Sequence, residues 1–441
     1  MSQPHVVVIG GGYSGTLQTI QLLRRGARVT LVERAGRLGR GIAYSTPHQA
    51  HLLNVPAGRM SAFPDEPGHF AAWYADREGG EPGGFAQRRV YGLYLEELLA
   101  EASKAAEPRL RIVREAAVDV LPGAPGETVL LKGGERIAAD HAVLALGNLE
   151  PDVPSGVADD LRGRGLYVAD PWAGDIAGGL GAGDQVLLIG TGLTAIDAAL
   201  ILDSAGFQGS ILALSRRGLV PRSHSAVAGH AAGLSAAPDG RLSKLLRFVR
   251  KETDRLGWRA AVDQLRPVTQ ALWADSSLAE RRRFLRHLRP WWDVHRHRIA
   301  PSIAERISGM ERTGRLRFDA GKIVSMSAGE GNARVEVRRR GRDEAETLDV
   351  ARIVNCTGPQ MDISRAGEKL LDTLIGSGRI RPDAAGIGID VDREWRTLDT
   401  AGQPSRALYA VGPMTRGAVW EIVAVPDIRN QVQALAERLA G

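Results

Sequence analysis

The stretch Val6-Val7-Val8-Ile9-Gly10-Gly11-Gly12-Tyr13-Ser14-Gly15 decides the fold. Four apolar residues in a row read as a buried parallel strand. A glycine turn follows, and Thr16 to Arg25 then carries Leu17, Ile20 and Leu23 on one side, as a helix would. Gly26 stops that helix, Ala27 to Val32 reads as the next strand, and Glu33 stands at its tip. In Gly10-x-Gly12-x-x-Gly15 the first glycine permits the tight turn. The second admits a pyrophosphate to the backbone, and the third lets helix and strand pack closely. The N-terminus of the helix presents free N–H groups to the phosphates. A carboxylate at Glu33 accepts ribose hydroxyls.

The same plan returns in the second half. Gln185 to Ile189 reads as a strand, Gly190-Thr191-Gly192-Leu193-Thr194-Ala195 as the turn, Asp197 to Ser204 as helix, and Ser210 to Leu214 as the next strand. Each half also closes alike: strand Ala142–Leu146 runs into Gly147, and strand Ile353–Asn355 leads to Gly358. The chain therefore reads as α/β, with two Rossmann-like dinucleotide-binding domains. The tip of the second unit is not acidic. It reads Ser215-Arg216-Arg217, with Arg222 and His224 near by. Arginine forms paired hydrogen bonds to phosphate oxygens, so this site is expected to take NADP(H), with its 2′-phosphate, rather than NAD(H). The N-terminal site is expected to take FAD, held by Gly10, Gly12, Tyr13, Ser14, Gly15, Glu33 and Arg34.

The 441 residues exceed one ordinary core and are 44% hydrophobic and 24% charged, a globular balance. A single cysteine, Cys356, excludes a disulfide framework, a cysteine zinc site, an iron–sulfur cluster and a CxxC pair. It is compatible with a reducing cytoplasm, the expected compartment, and reads as structural. No apolar run reaches membrane-spanning length, and no secretory signal is expected. The net charge of +6 is uneven. Residues 241–306 hold 14 Arg and 2 Lys against 7 acidic residues, without the stacking aromatics of a nucleic-acid surface, so no nucleic acid is expected. Residues 234–308 read as a helical insertion, broken by Pro267, Pro290 and Pro301. Residues 75–88 and 121–127 read as loops. His295 and His297 flank Arg296; competing arginines argue against a metal site, and none is expected. The expected domains are 1–165 (first part of the FAD domain), 166–345 (NADP domain with the insertion) and 346–441 (second part of the FAD domain).

His51 to Asp65, which reads HLLNVPAGRMSAFPD, carries a resemblance. With the two glycine motifs and closing strands, it is similar to the class B flavin-dependent monooxygenases, where Asn, Met and Phe-x-Asp occur in that order. Asn54, Met60, Phe63 and Asp65 match. The resemblance implies that Asn54 holds the oxygenated flavin, and an amide can both donate to a peroxide and accept from flavin N5–H. A closer resemblance, over nearly the whole chain, is to bacterial FAD/NAD(P)-binding proteins. It rests on Gly39-Arg40-Gly41-Ile42-Ala43-Tyr44, residues 51–65, Trp291 to Arg298, Asn355-Cys356-Thr357-Gly358-Pro359, and Gly412-Pro413 through Trp420-Glu421 to Arg429. It brings Ala43, Met60, Pro413 and Trp420 into the expected cofactor site. Residues 408–431 read as a strand, a turn at Gly412 and a last helix with Pro426 as its first residue, aimed at the flavin. Two departures stand out. Tyr167 occupies the His position of the carbonyl-oxygenating enzymes, which argues against that reaction. Pro413 occupies a position where many flavoproteins place an Asp for the ribityl chain.

These readings imply an FAD-dependent, NADPH-using oxidoreductase. First among them is a monooxygenase that oxygenates N or S of a small molecule with O2 through a C4a-peroxyflavin. An NADPH-dependent reductase with a separate acceptor is the alternative within that class. A non-catalytic flavoprotein binding a partner through its basic insertion is the alternative outside it. No oligomeric state follows from the sequence.

Overall fold

The computed structural model describes residues 3–124, 126–172, 174–225, 233–234 and 242–441. Residues 235–241 of the expected insertion lie outside the described residues.

The first domain is a six-stranded sheet in the order Arg396–Leu398, Pro404–Ala410, His141–Leu144, His5–Ile9, Arg28–Val32, Leu110–Val113. All neighbours are parallel except the first pair. Val6, Val7 and Val8 are fully buried because helices cover one face of the strand, while a three-stranded antiparallel sheet and helix Lys369–Gly376 cover the other. Helix Tyr13–Arg24 is buried from Tyr13 to Leu23, packed against the sheet and against helices Arg88–Ala105 and Val425–Ala440. A small antiparallel sheet, Ala117–Pro122, Glu127–Leu131 and Arg136–Ala139, completes this domain.

The second domain is a seven-stranded sheet in the order Ala345–Val350, Ala333–Arg339, Leu316–Ala328, Ser210–Ser215, Gln185–Ile189, Arg352–Asn355, Tyr167–Val168. Its centre is parallel, and its outer hairpin strands are antiparallel. This sheet corrects the expected boundary at 346. Arg352–Asn355 pairs with Gln185–Ile189, so the second domain continues to the turn at Gly358. At its start, Val157 already bridges Met326, ahead of residue 166.

The insertion is helical: Leu242–Leu256, Trp258–Asp263, Thr269–Asp275, Leu278–Arg283, a π-turn at Phe284–Leu288, and Arg289–Arg296. It ends earlier than 308. Ile303, Ile307 and Met310 of helix Pro301–Arg312 face the second domain's own core. The expected loop at 75–88 is shorter, because helix His69–Glu78 extends into it. The loop at 121–127 reduces to a turn between two strands. Pro426 is the second rather than first residue of helix Val425–Ala440. Both motif helices begin directly at the glycine turn, at Tyr13 and Leu193, a few residues before their expected starts.

Candidate functional site

The glycines of the first motif have separate physical reasons. Gly10 has φ +105°, and a Cβ there would lie 2.5 Å from the Ala145 carbonyl oxygen. A Cβ on Gly15 would lie 1.7 Å from the Gly10 carbonyl oxygen. Gly12 is different: a Cβ there would meet only Gly41 Cα, at 3.4 Å, so its outer side is open to a ligand. Gly12 caps helix Tyr13–Arg24 without a side-chain hydrogen bond, and the first-turn N–H groups point outward. At the strand tip, the Glu33 carboxylate accepts the N–H groups of Gly11 (2.5 Å) and Ala35 (2.6 Å), which orients it beside the turn.

The second motif repeats this geometry. Gly190 has φ +128°, and its Cβ would meet the Cys356 carbonyl oxygen at 2.4 Å, as Gly10 meets Ala145. Around Gly192 nothing lies within 4 Å of a Cβ. Ser215 Oγ lies 2.9 Å from Thr191 Oγ1 and accepts the Gly218 N–H, so it holds the turn together. Arg216 is exposed and makes no hydrogen bond or ion pair among the described residues. Arg217 donates to the Arg286 carbonyl of the insertion.

One cleft of about 1690 Å³ reaches the second motif at Leu193 and Thr194 and, on the first domain, Arg34 and the segment Ile42 to Tyr44. Its walls include Arg34, Ala43, Asn54 and Met60 from the first domain, and Leu193, Thr194 and Gly358 from the second. Trp258, Arg259 and Arg266 come from the insertion, and Val423 to Pro426 from the start of the last helix. Arg34 is held by a bidentate pair with Glu368 (2.6 and 2.8 Å). The Asn54 backbone carbonyl accepts from His224 Nε2 at 2.9 Å, and its side-chain amide has no partner among the described residues. Burial holds the His224 pKa below the ordinary imidazole value, so this ring donates as a neutral group.

The remaining expected residues lie behind the cleft walls. Tyr13 donates to the Val425 carbonyl at 3.3 Å. Ser14 packs under Gly412, whose Cβ would lie 2.3 Å from Ser14 Oγ. Gly147 lies in the left-handed region, and Gly412 and Pro413 open a single 3-10 turn. Trp420 stands apart from the cleft. Its ring stacks on Trp273 of the insertion, with centroids 4.7 Å apart, and meets Phe284 edge-on. Cys356 is buried, and burial pushes its thiol pKa up. Among the described residues no three His, Cys, Asp or Glu side chains gather as a metal site, and no helix is long and apolar enough to cross a membrane.

Three groupings escape sequence reasoning. Glu421, buried and at φ +68°, takes Trp292 Nε1–H (2.8 Å), Arg296 (3.0 Å) and His297 (3.5 Å) from the insertion. Burial opposes its charge, but His297, Arg296 and Trp292 outweigh it and hold its pKa at about 2. Arg88 and Asp197 form a bidentate pair across the domains, at 2.7 and 3.2 Å. Arg416 is buried beside Asn148. Each joins residues from distant parts of the chain, so no local pattern announces them.

Residues 7–149 match the sequence model of a protein family described as FAD-NAD(P)-binding. No curated protein matches the chain. Among solved structures it is similar to L-lysine 6-monooxygenase from Pseudomonas syringae, at 16% identity and TM-score 0.67, with 99% of each chain covered. It is also similar to ornithine N-hydroxylase from Kutzneria sp. 744, solved with reduced FAD, NADP+ and L-ornithine, at 18% identity and TM-score 0.62, with 99% of each chain covered. A third is a bacillithiol disulfide reductase from Bacillus cereus, at 14% identity and TM-score 0.59, with 100% of this chain and 99% of that one covered. At these identities the likeness is one of fold. The chain thus carries an FAD-NAD(P)-binding domain within the full-length fold that flavin-dependent monooxygenases and disulfide reductases share.

Proposed function

We propose that the chain is an FAD-dependent, NADPH-oxidising monooxygenase that oxygenates a nitrogen or sulfur atom of a small molecule. The observation that carries this reading is one cleft lined by Leu193 and Thr194 of the second motif, by Arg34 and Ala43 near the first, and by Asn54, whose side-chain amide has no partner among the described residues. FAD, when bound, supplies hydride acceptance and the activation of O2. The chain supplies the rest. The open side of Gly12 and the N-terminus of helix Tyr13–Arg24 bind the FAD pyrophosphate, and Glu33 takes its ribose hydroxyls. Gly192 and the N-terminus of helix Leu193–Ser204 do the same for NADPH, with Arg216 on the 2′-phosphate. Asn54 offers both an N–H donor and a carbonyl acceptor to the oxygen being transferred. The insertion closes the cleft with Trp258, Arg259 and Arg266 and keeps water out. A nitrogen or sulfur lone pair is itself the nucleophile, so the chain need not provide a general base. Disulfide exchange fits this chain poorly: its one cysteine is buried, and its thiol is kept protonated.

The test is single-turnover kinetics on FAD-loaded protein. It is reduced anaerobically with NADPH or NADH, then mixed with 18O2 and a panel of amines and thioethers. The expected result is faster reduction by NADPH and a product carrying one 18O atom. Reduction followed only by hydrogen peroxide release across the panel would favour a reductase. Failure of both nicotinamides to reduce the flavin would end the enzyme reading.

A further inference from the structure

Three strands of the first sheet lead at their carboxyl ends into glycines: His5–Ile9 into Gly10, His141–Leu144 towards Gly147, and Pro404–Ala410 towards Gly412. Register places Ile9 beside Leu144 and Leu144 beside Ala410, so these ends are neighbours. Strand order also reverses here. From His5–Ile9 the chain builds outward to Arg28–Val32 and Leu110–Val113, and the later strands add on the other side. Parallel sheets hold their ligands in the crevice at such a reversal. Asn148, next after Gly147, lines the cleft. Arg416, four residues after Gly412, lies behind that wall: its Nη2 donates to Asn148 Oδ1 at 3.3 Å.

Arg416 is only 9% exposed, and no carboxylate among the described residues pairs with it. The charged groups around it are already committed. Asp293 faces Arg289 at 3.3 Å, and Glu421 faces Arg296 and His297. Burial pulls the guanidinium pKa down to about 10, a sign that the site disfavours an uncompensated cation. A buried charge persists only where something balances it. The sequence bears on this point as well, because Pro413 stands where an acidic ribityl ligand is expected. The local charge at this strand end is therefore positive, not negative.

We propose that Arg416 is the counter-charge of reduced FAD. Hydride transfer delivers two electrons and one proton, which leaves the reduced ring singly negative, and the Arg416 guanidinium balances that charge at the switch point. The proposal rests on the FAD reading above but not on the oxygenation reading.

The test uses the FAD-loaded full chain. Midpoint potentials are measured with dithionite and indicator dyes, so NADPH plays no part, and FAD affinity and Tm are recorded alongside. In Arg416→Gln the protein should lose at least tenfold in its preference for reduced over oxidised FAD, a fall of about 30 mV for a two-electron couple. Oxidised FAD should bind within threefold of wild type, and Arg416→Lys should restore most of the potential. An unchanged potential in FAD-replete Arg416→Gln would overturn the proposal. Should that variant fail to fold, the wild-type protein decides. Between pH 5.5 and 6.5, one proton per two electrons gives a slope of about 30 mV per pH unit. Twice that slope means a neutral reduced ring and overturns the proposal. A shifted potential in Arg416→Gln, with no oxygenated product from the wild-type protein, would sink the monooxygenase reading alone.

Discussion

Glycines at different positions of the two motifs stand to lose different things. At Gly15 an added Cβ would collide with backbone, the Gly10 carbonyl at 1.7 Å, which cannot yield as a flexible side chain can. Gly15→Ala is expected to cost about 4 kcal/mol or more, read as a fall of roughly 10 °C in Tm and loss of bound FAD. At Gly192 the added methyl meets nothing within 4 Å. Gly192→Ala should fold with unchanged Tm yet occupy the space a pyrophosphate needs, and the KM for NADPH should rise about tenfold. An unchanged KM would remove Gly192 from the cofactor site. Arg216 supplies a cleaner test, because among the described residues it has no partner to lose. Arg216→Gln should raise the KM for NADPH about tenfold, or about 1.4 kcal/mol, and leave that for NADH alone. An equal rise for both cofactors would mean that Arg216 acts elsewhere than on the 2′-phosphate.

At the scale of elements, the insertion is fastened to the first domain along one seam. Trp273 Nε1–H donates to the Gly417 carbonyl at 2.8 Å, and Trp292, Arg296 and His297 converge on Glu421. The Glu421 pKa of about 2 lies below its ordinary value of 4.5. Its contribution to stability is therefore complete above pH 4.5 and is lost as pH falls towards 2. Glu421→Gln should destabilise the protein by about 3 kcal/mol near neutral pH, since it leaves the half-buried Arg296 without its partner. The gap from wild type should close towards pH 2, where Glu421 is itself protonated. Paired melting curves from pH 7 to 2 measure it, and a gap independent of pH would refute the charge argument. This seam was not legible in the sequence, whereas the glycine turns were. Strand, turn, helix and acid follow one another within about 30 residues, and each constrains the next. Glu421 and Trp292 are 129 residues apart, and pairing at that distance leaves no periodicity to find. The sequence places Trp420 before the last helix, but sequence position does not say which way a ring turns, and here it stacks on Trp273. The insertion's end is hidden in the sequence for a similar reason. The apolar stripe Ile303, Ile307, Met310 marks a buried helix face without saying which core receives it.

At the scale of the whole molecule, the two domains must hold one relative orientation if the nicotinamide is to meet the flavin, and a bidentate ion pair stands where they join. Arg88 begins helix Arg88–Ala105 of the first domain, and Asp197 lies one turn into helix Leu193–Ser204 of the second. Asp197 is 5% exposed. Arg88 Nε also donates to the Leu52 carbonyl, and His51 Nε2 lies 3.2 Å from the Asp197 carbonyl oxygen. The pair thus ties the second glycine turn to the segment that carries Asn54 and Met60. Asp197→Asn leaves the half-buried Arg88 without its counter-charge, a loss of about 3 kcal/mol at the junction. Hydride transfer tolerates little displacement, since a misplacement of about 1 Å can cost about 100-fold in rate. Asp197→Asn should therefore slow anaerobic flavin reduction by NADPH about 100-fold, while FAD content and reduction by dithionite stay at wild-type levels. NADPH affinity should change by less than about threefold, because Asp197 lies beyond the turn proposed to bind the pyrophosphate. Reduction at wild-type speed would shift the work of orientation to the apolar side of the junction, where Ala50, Leu52 and Phe85 pack against the second domain's core.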